Sequence, residues 1–238
     1  MIVQGFWLGQ SISAIESLSY SSFVEHGFEY HLYSYGPISG LPPGVMLHDA
    51  SAIVPETWLQ RHKTGSLALC SDLFRYCLLH QKGGIYVDSD IICLKPFVPP
   101  KNKAAGELQR HTQSLVASTQ YLNFDAQHPF MGEAVKTVKS LDLVNVEFTA
   151  AGPALMQKLL PADYVLPAMA FNPNPWWEWE KALQPAYGDW FWSLYDNPDV
   201  YGVHLWNEMF RRNGIKKDEP FLSGCFLDRL QRQPNGSR

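Results

Sequence analysis

Residues 66–97 read SLALCSDLFRYCLLHQKGGIYVDSDIICLKPF. Their order of helix signal, glycine turn, apolar strand and paired carboxylates decides the fold. From Ser66 to Gln81 the apolar residues Leu67, Cys70, Phe74, Cys77 and Leu78 recur at three- and four-residue steps, which predicts a helix with one buried stripe. Asp72 and Arg75 fall off that stripe. Three residues apart, they share a helix face and can pair with each other or together meet a ligand. Lys82 suits the last turn, and Gly83 supplies a left-handed stop. Ile85, Tyr86 and Val87 then predict a short buried strand that ends at Asp88-Ser89-Asp90, before Ile91, Ile92 and Cys93 resume an apolar run.

Residues two apart in an extended segment point to one side, so Asp88 and Asp90 are expected to aim together, with roughly 6–7 Å between their backbones. Two carboxylates with further positions open suit a hard cation such as magnesium or manganese, which also takes oxygens from a diphosphate. A solvated surface turn is the bland alternative. With twelve Asp in the chain, about 0.6 such triplets arise by chance, so the triplet alone is weak. The setting favours the metal, because the pair interrupts IYV and IICL, where an unpaired charge is costly to bury.

Taken together, Ser71, Asp72, Arg75, Tyr76, Leu79, Gly83, Gly84, Tyr86, Asp88 and Asp90 spell S-D-x-x-R-Y-x-x-L-x-x-x-G-G-x-Y-x-D-x-D. This string resembles the DXD sugar-binding signature of glycosyltransferase family 32, which includes yeast initiating outer-chain mannosyltransferases. It is similar also to the α-1,4-glycosyltransferases and the glucosylating clostridial toxins. Weaker echoes lie at Phe6-Trp7-Leu8-Gly9, at Ala151-Gly152-Pro153 and at Val203-His204-Leu205-Trp206-Asn207. The resemblance implies a GT-A fold, a Rossmann-like nucleotide-sugar-binding α/β domain whose mixed central sheet is flanked by helices.

Outside the signature, 238 residues suit one α/β domain over 1–230 with a polar tail at 231–238. The composition is 46% apolar and 18% charged, with net charge −4 and pI near 6.0. That is a soluble globular balance with no general attraction to nucleic acid, so an anionic ligand must be held by local groups or a metal. Cys70, Cys77, Cys93 and Cys225 form no C-x-x-C pair and are expected to be buried reduced thiols of a cytoplasmic protein. No run of 18 apolar residues occurs, which leaves peripheral contact with a lipid-linked acceptor open.

A strand over Ile2–Leu8, a helix over Ser13–His26, a strand over Glu29–Tyr35 and another at Val45–Leu47 lay out the start of a Rossmann-like domain. The G-x-G-x-x-G fingerprint is absent, which counts against a dinucleotide oxidoreductase. Arg61-His62-Lys63 reads as solvated surface, with a phosphate contact as the alternative. Beyond Pro96, a polar turn is expected at Lys101–Gly106, two strands at Leu115–Ala117 and Tyr121–Phe124, and helices at Phe130–Leu141 and Thr149–Leu160. Residues 171–198 carry five tryptophans among prolines and read as a packed irregular region, or alternatively as an aromatic platform for sugar.

The resemblance assigns roles residue by residue. Asp90 ligates manganese or magnesium, and Asp88 shares the metal or holds the ribose; these two are the catalytic pair. His204 completes the metal site or is a strand-end histidine with a satisfied ring. Trp7 stacks on the base or is a rim aromatic. Asp72, Arg75, Tyr86, Gly152, Trp206 and Asn207 contact the donor. The expected donor is a nucleotide-diphosphate sugar, with UDP favoured and GDP as the alternative, and the acceptor is a carbohydrate or lipid-linked hydroxyl. Retention of the anomeric configuration is implied. A catalytically inactive carbohydrate-binding protein of the same fold is the alternative function.

Overall fold

The computed structural model describes residues 1–232; residues 233–238, most of the expected tail, lie outside the described residues. Gln231 and Arg232 belong to the last helix rather than to a tail.

The chain opens with β1 (Ile2–Phe6), α1 (Ala14–Glu25), β2 (Glu29–Ser34) and β3 (Val45–Asp49), then α2 (Ala68–Lys82) and β4 (Gly84–Val87). It continues with β5 (Ile91–Cys93), β6 (Lys103–Leu108), β7 (Leu115–Phe124), α3 (Pro129–Lys139) and α4 (Pro153–Leu159). Last come α5 (Gly188–Ser193), β8 (Gly202–His204), α6 (Asn207–Arg212) and α7 (Phe226–Arg232). The six-stranded sheet runs β3-β2-β1-β4-β7-β6, parallel through β4 and antiparallel beyond it. This is the mixed α/β sheet with flanking helices that the GT-A resemblance implied. A second sheet pairs β5 with β8, antiparallel.

The two-residue period of β4 divides the core. Tyr86 enters the cluster made with Leu73, Phe74 and Leu78 of α2 and Met131 of α3. Ile85 and Val87 enter the opposite cluster, with Tyr20 and Phe23 of α1. A third cluster joins Ile92, Val203, Phe210 and Phe226 under the small sheet. α1 starts with a capping box, in which Ser13 accepts from Ile15 N while the Glu16 carboxylate accepts from Ser13 N at 2.8 Å.

Four expectations are corrected. α2 has no single buried stripe: Asp72 and Arg75 are 6% and 4% exposed, because β1, β4, β7 and α3 pack around the helix. Residues 103–108 form β6 and not a turn, since short Ala and Gly residues let this strand lie close under the Leu166 segment. Residues 115–124 are one strand, β7, rather than two, because β6 and β4 pair along its two edges. Asp88-Ser89-Asp90 is not a straight extended segment; it turns between β4 and β5, which belong to different sheets.

All four cysteines are free and buried. In the basic triplet, Arg61 Nη1 donates to Gly65 O at 2.6 Å and Lys63 Nζ to Asn145 O at 3.1 Å. His62 is buried against Thr64 and Val146 O, so the triplet braces its own loop. In the tryptophan-rich stretch, Trp179 packs on Phe210, while Trp176 and Trp177 are half-buried.

Candidate active site

β4 lies in the middle of the sheet, and its chain leaves through Asp88-Ser89-Asp90 toward β5. The turn sends the two carboxylates to different neighbours. Asp88 meets α2: Arg75 Nη2 lies 3.0 Å from Asp88 Oδ1 and Arg75 Nη1 lies 3.4 Å from Oδ2. Nη1 also donates to Thr119 O at 2.7 Å, and the guanidinium sits 4.9 Å from the Tyr86 ring centroid. Asp90 meets β8 and α6: His204 Nε2 is 3.3 Å from its Oδ2, and Asn207 N donates to the same oxygen at 2.6 Å. Register puts His204 opposite Ile91, the residue after Asp90, so β5–β8 pairing delivers the imidazole from 114 positions away.

Ligand atoms from Asp88, Asp90 and His204 all lie within 4.8 Å of one another. Two carboxylate oxygens and an imidazole nitrogen suit a divalent cation of the manganese or magnesium kind, the nitrogen favouring manganese. The outer contacts also fit. Asn172 Nδ2 donates to Gly106 O at 2.7 Å, which turns Asn172 Oδ1 toward His204 Nδ1 at 3.2 Å. Nδ1 therefore carries a hydrogen, and Nε2, which faces Asp90, is the ring nitrogen left to meet a cation once its own proton is lost.

Charges in the site compensate one another. Burial pushes His204 down, but Asp90 and Asp88 outweigh it and hold the imidazole above its ordinary pKa. Burial pushes Asp90 up, but His204 and the Asn207 N–H outweigh that and hold the carboxyl below its usual range. Asp88 is held above the usual range by burial, with Arg75 opposing. Asp72 is pushed up to about 6, again by burial, although Arg75 Nε lies 3.5 Å from its Oδ1. The guanidinium is closer to Asp88 than to Asp72, so Asp72 receives the smaller share of its charge.

The remaining sequence-predicted residues fall at graded distances from this centre. Gly152 lies against Asp72; a Cβ there would sit 3.1 Å from Asp72 Oδ2. Trp206 stands 4.0 Å from the His204 ring, with its indole N–H on Asn174 O at 2.8 Å. Tyr86 is 1% exposed and lies behind Arg75, so it braces the guanidinium and offers no face to a ligand. Trp7 is half-buried just past β1, with its Nε1 donating to Ser11 O at 3.0 Å. Beside Trp7 a cleft of about 680 Å³ opens at the C-terminal ends of β1 and β2, lined by Leu8, Gly9, Ser34, Tyr35, Glu56 and Leu67. None of Asp72, Asp88, Asp90 and His204 lines it.

Glu16 is missed by the sequence reasoning. Fully buried, it accepts from Asn207 Nδ2 at 2.6 Å and pairs with Lys217, which also lies 5.6 Å from the Trp7 ring. Its capping-box spacing identifies a helix start, and nothing in that spacing points across the fold to residue 207. Asn172 and Thr119 are missed for the same reason, being single polar residues outside any motif.

Residues 44–115 match the family model described as the glycosyltransferase sugar-binding region containing DXD motif. The human protein named alpha-1,4-N-acetylglucosaminyltransferase is 23% identical over 84% of this chain and 58% of its own length. Inositol phosphoceramide mannosyltransferase 1 of Schizosaccharomyces pombe is 29% identical over 44% of this chain and 36% of its own. The human lactosylceramide 4-alpha-galactosyltransferase is 27% identical over 60% of this chain and 42% of its own. The chain thus spans about half the length of these relatives or less. The solved structure of the PaToxG glycosyltransferase superposes with a TM-score of 0.48 at 18% identity, covering 67% of this chain and 68% of that one. No helix among the described residues is long and apolar enough to cross a membrane. With the carboxylates of its central turn inside the matched region, the chain is similar over residues 44–115 to the DXD-containing sugar-binding region of glycosyltransferases, and more widely to the α-1,4-glycosyltransferases.

Proposed function

We propose that the protein is a metal-dependent, retaining glycosyltransferase that moves a sugar from a nucleotide-diphosphate donor to an acceptor hydroxyl. The observation that carries this reading is the convergence of Asp88, Asp90 and His204 within 4.8 Å, beside the Asp72–Arg75 pair. Divalent manganese or magnesium held by those three side chains would neutralise charge on the departing diphosphate. Asp90 is oriented for this by the Asn207 N–H, and Asp88 by Arg75. His204 would hold such a cation through a deprotonated Nε2, with its Nδ1–H kept on Asn172.

The cleft at the ends of β1 and β2 is the reading's place for the nucleoside, with the Trp7 indole as a stacking face and a uracil base favoured over guanine. Asp72, with Gly152 close against it, is the hydroxyl-binding carboxylate for ribose or sugar. The acceptor class proposed is a carbohydrate or a lipid-linked sugar; two of the relatives are named for ceramide-linked substrates. A non-catalytic carbohydrate-binding protein of this fold is the second reading. The intact set of Asp72, Arg75, Asp88, Asp90 and His204 weighs against it.

The deciding measurement is release of nucleoside diphosphate from a panel of UDP- and GDP-sugars, with manganese and with chelator. Manganese-dependent release supports the transferase. Binding of a nucleotide sugar with no release supports the binding protein, and inorganic phosphate as product would point to hydrolase chemistry instead.

A further inference from the structure

β6 and β7 lose register beside the site. Ala104 pairs with Leu122 and Gly106 with Ala117, so residues 118–121 of β7 stand opposite the single residue Ala105. Such irregularities re-aim side chains and gather at functional sites. Here the irregular stretch opens with three polar residues, Ser118, Thr119 and Gln120, only 4%, 7% and 1% exposed. Polar side chains this buried are normally partnered. Thr119 reaches Asp72 at 3.5 Å, and Ser118 Oγ donates to Glu107 Oε2 at 2.9 Å. Gln120, whose carbonyl accepts from Asp88 N at 2.8 Å, has no protein partner for either atom of its side-chain amide.

Glu107 is the unexplained charge in this wall. It is half-buried and follows Gly106, whose carbonyl holds the Asn172 that orients His204. Among the described residues no Lys, Arg or His lies within ion-pair distance of it, although His204 is near enough for its charge to act on it. Burial pushes the carboxyl up, with Ser118 and His204 offsetting only part of that. One hydroxyl on Oε2 replaces only part of the hydration this half-buried carboxylate gives up, which leaves its other oxygen open to further donors. A sugar ring supplies those donors as adjacent hydroxyls.

We propose that Glu107 is a sugar-binding residue of this site, its carboxylate accepting hydrogen bonds from the hydroxyls of a pyranose beside Asp88, Asp90 and His204. Ser118 fixes one carboxylate oxygen, and Gln120 adds an amide to the same wall. The assignment rests on the nucleotide-sugar reading above, and the ring it holds belongs either to the donor or to the acceptor.

The test is calorimetric binding of UDP, UDP-glucose, UDP-galactose, UDP-N-acetylglucosamine and GDP-mannose with manganese, in the unaltered protein and in Glu107→Gln. A second arm measures the half-saturating concentration of lactose for nucleoside diphosphate release. Loss of about tenfold or more in sugar-nucleotide affinity with UDP affinity unchanged assigns Glu107 to the donor sugar. Unchanged donor binding with a similar rise in half-saturating lactose assigns it to the acceptor. Equal weakening of UDP and sugar nucleotides means that Glu107 acts through His204 and overturns the proposal, as does no change in either arm. Where lactose does not stimulate release, the binding arm decides alone. Ser118→Ala, which keeps the carboxyl, should show a smaller loss of the same pattern. If the unaltered protein binds none of the sugar nucleotides, the function reading itself fails, and that outcome is separate from a Glu107 effect.

Discussion

The backbone N–H of Asn207 donates to Asp90 Oδ2 at 2.6 Å, tying the first residue of α6 to the second carboxylate of the central turn. Trp206, just before it, adopts a left-handed backbone with φ of 59°, and this turns the following N–H toward the acid. Asp90→Asn keeps an oxygen for that N–H but removes the charge that faces His204. We expect manganese-dependent turnover to fall by about 100-fold or more, with a native circular dichroism spectrum at pH 8. Near-normal activity at low manganese would sink the metal assignment of Asp90.

Arg75 is a brace as well as a candidate ligand group. Arg75→Ala leaves Asp72 and Asp88 buried without their cation, so a loss of about 3–5 kcal/mol is expected. For a chain of this size that is a melting temperature lower by about 10 °C or more. Arg75→Lys keeps the charge but loses the planar fork that spans Asp88 and Thr119 O, and should recover part of the stability. Donor kcat/KM falls in both variants. A melting curve that does not move for Arg75→Ala would return the guanidinium to a peripheral role.

Metal binding and pH are linked through His204, which faces Asp90, Asp88 and Glu107. With no metal, its raised pKa adds stability that is fully present below about pH 6.5, its ordinary value, and is lost as pH rises through the raised one. The lowered Asp90 pKa adds stability present above about pH 4, lost as pH falls through the folded value. Asp88, held high by burial, works in the opposite direction to Asp90. A cation competes with the His204 proton, so manganese affinity should climb by about tenfold per pH unit until the raised His204 pKa is passed. Titration calorimetry from pH 5.5 to 9 checks the slope. His204→Ala should bind manganese about 10- to 100-fold more weakly and lose that part of the pH dependence; an unchanged profile removes His204 from the ligand set.

Gly83 ends α2 with φ of 66°, and a Cβ there would overlap the backbone of Asp125 and Ala126. Gly83→Ala therefore combines positive-φ strain with a backbone collision. A loss of about 2–4 kcal/mol is expected in denaturant melts. Because the residue is remote from the ligand atoms, kcat of the fraction that stays folded should be nearly unchanged. A stability change below about 1 kcal/mol would show that the loop at 125–126 yields easily.

Local patterns determined a large part of this protein. The three- and four-residue spacing in 66–81, the positive-φ glycines after it and the IYV run set α2, the turn and β4, because each depends on neighbours within a few positions. The carboxylate pair and its partners Asp72 and Arg75 were visible for the same reason. Tertiary structure alone decided the rest. Whether Asp72 and Arg75 face solvent depends on how many elements surround α2, and the sheet with α3 buries every residue of the helix from Asp72 to Leu79. Whether two carboxylates converge depends on a turn between two different sheets, not on strand pleat. His204, Asn172 and Glu16 reach the site through pairings between segments far apart in sequence, Glu16 meeting Asn207 across 191 positions and Lys217 across 201. The hydrogen bonds that fix those pairings gain their strength from burial, which exists only once the chain has folded.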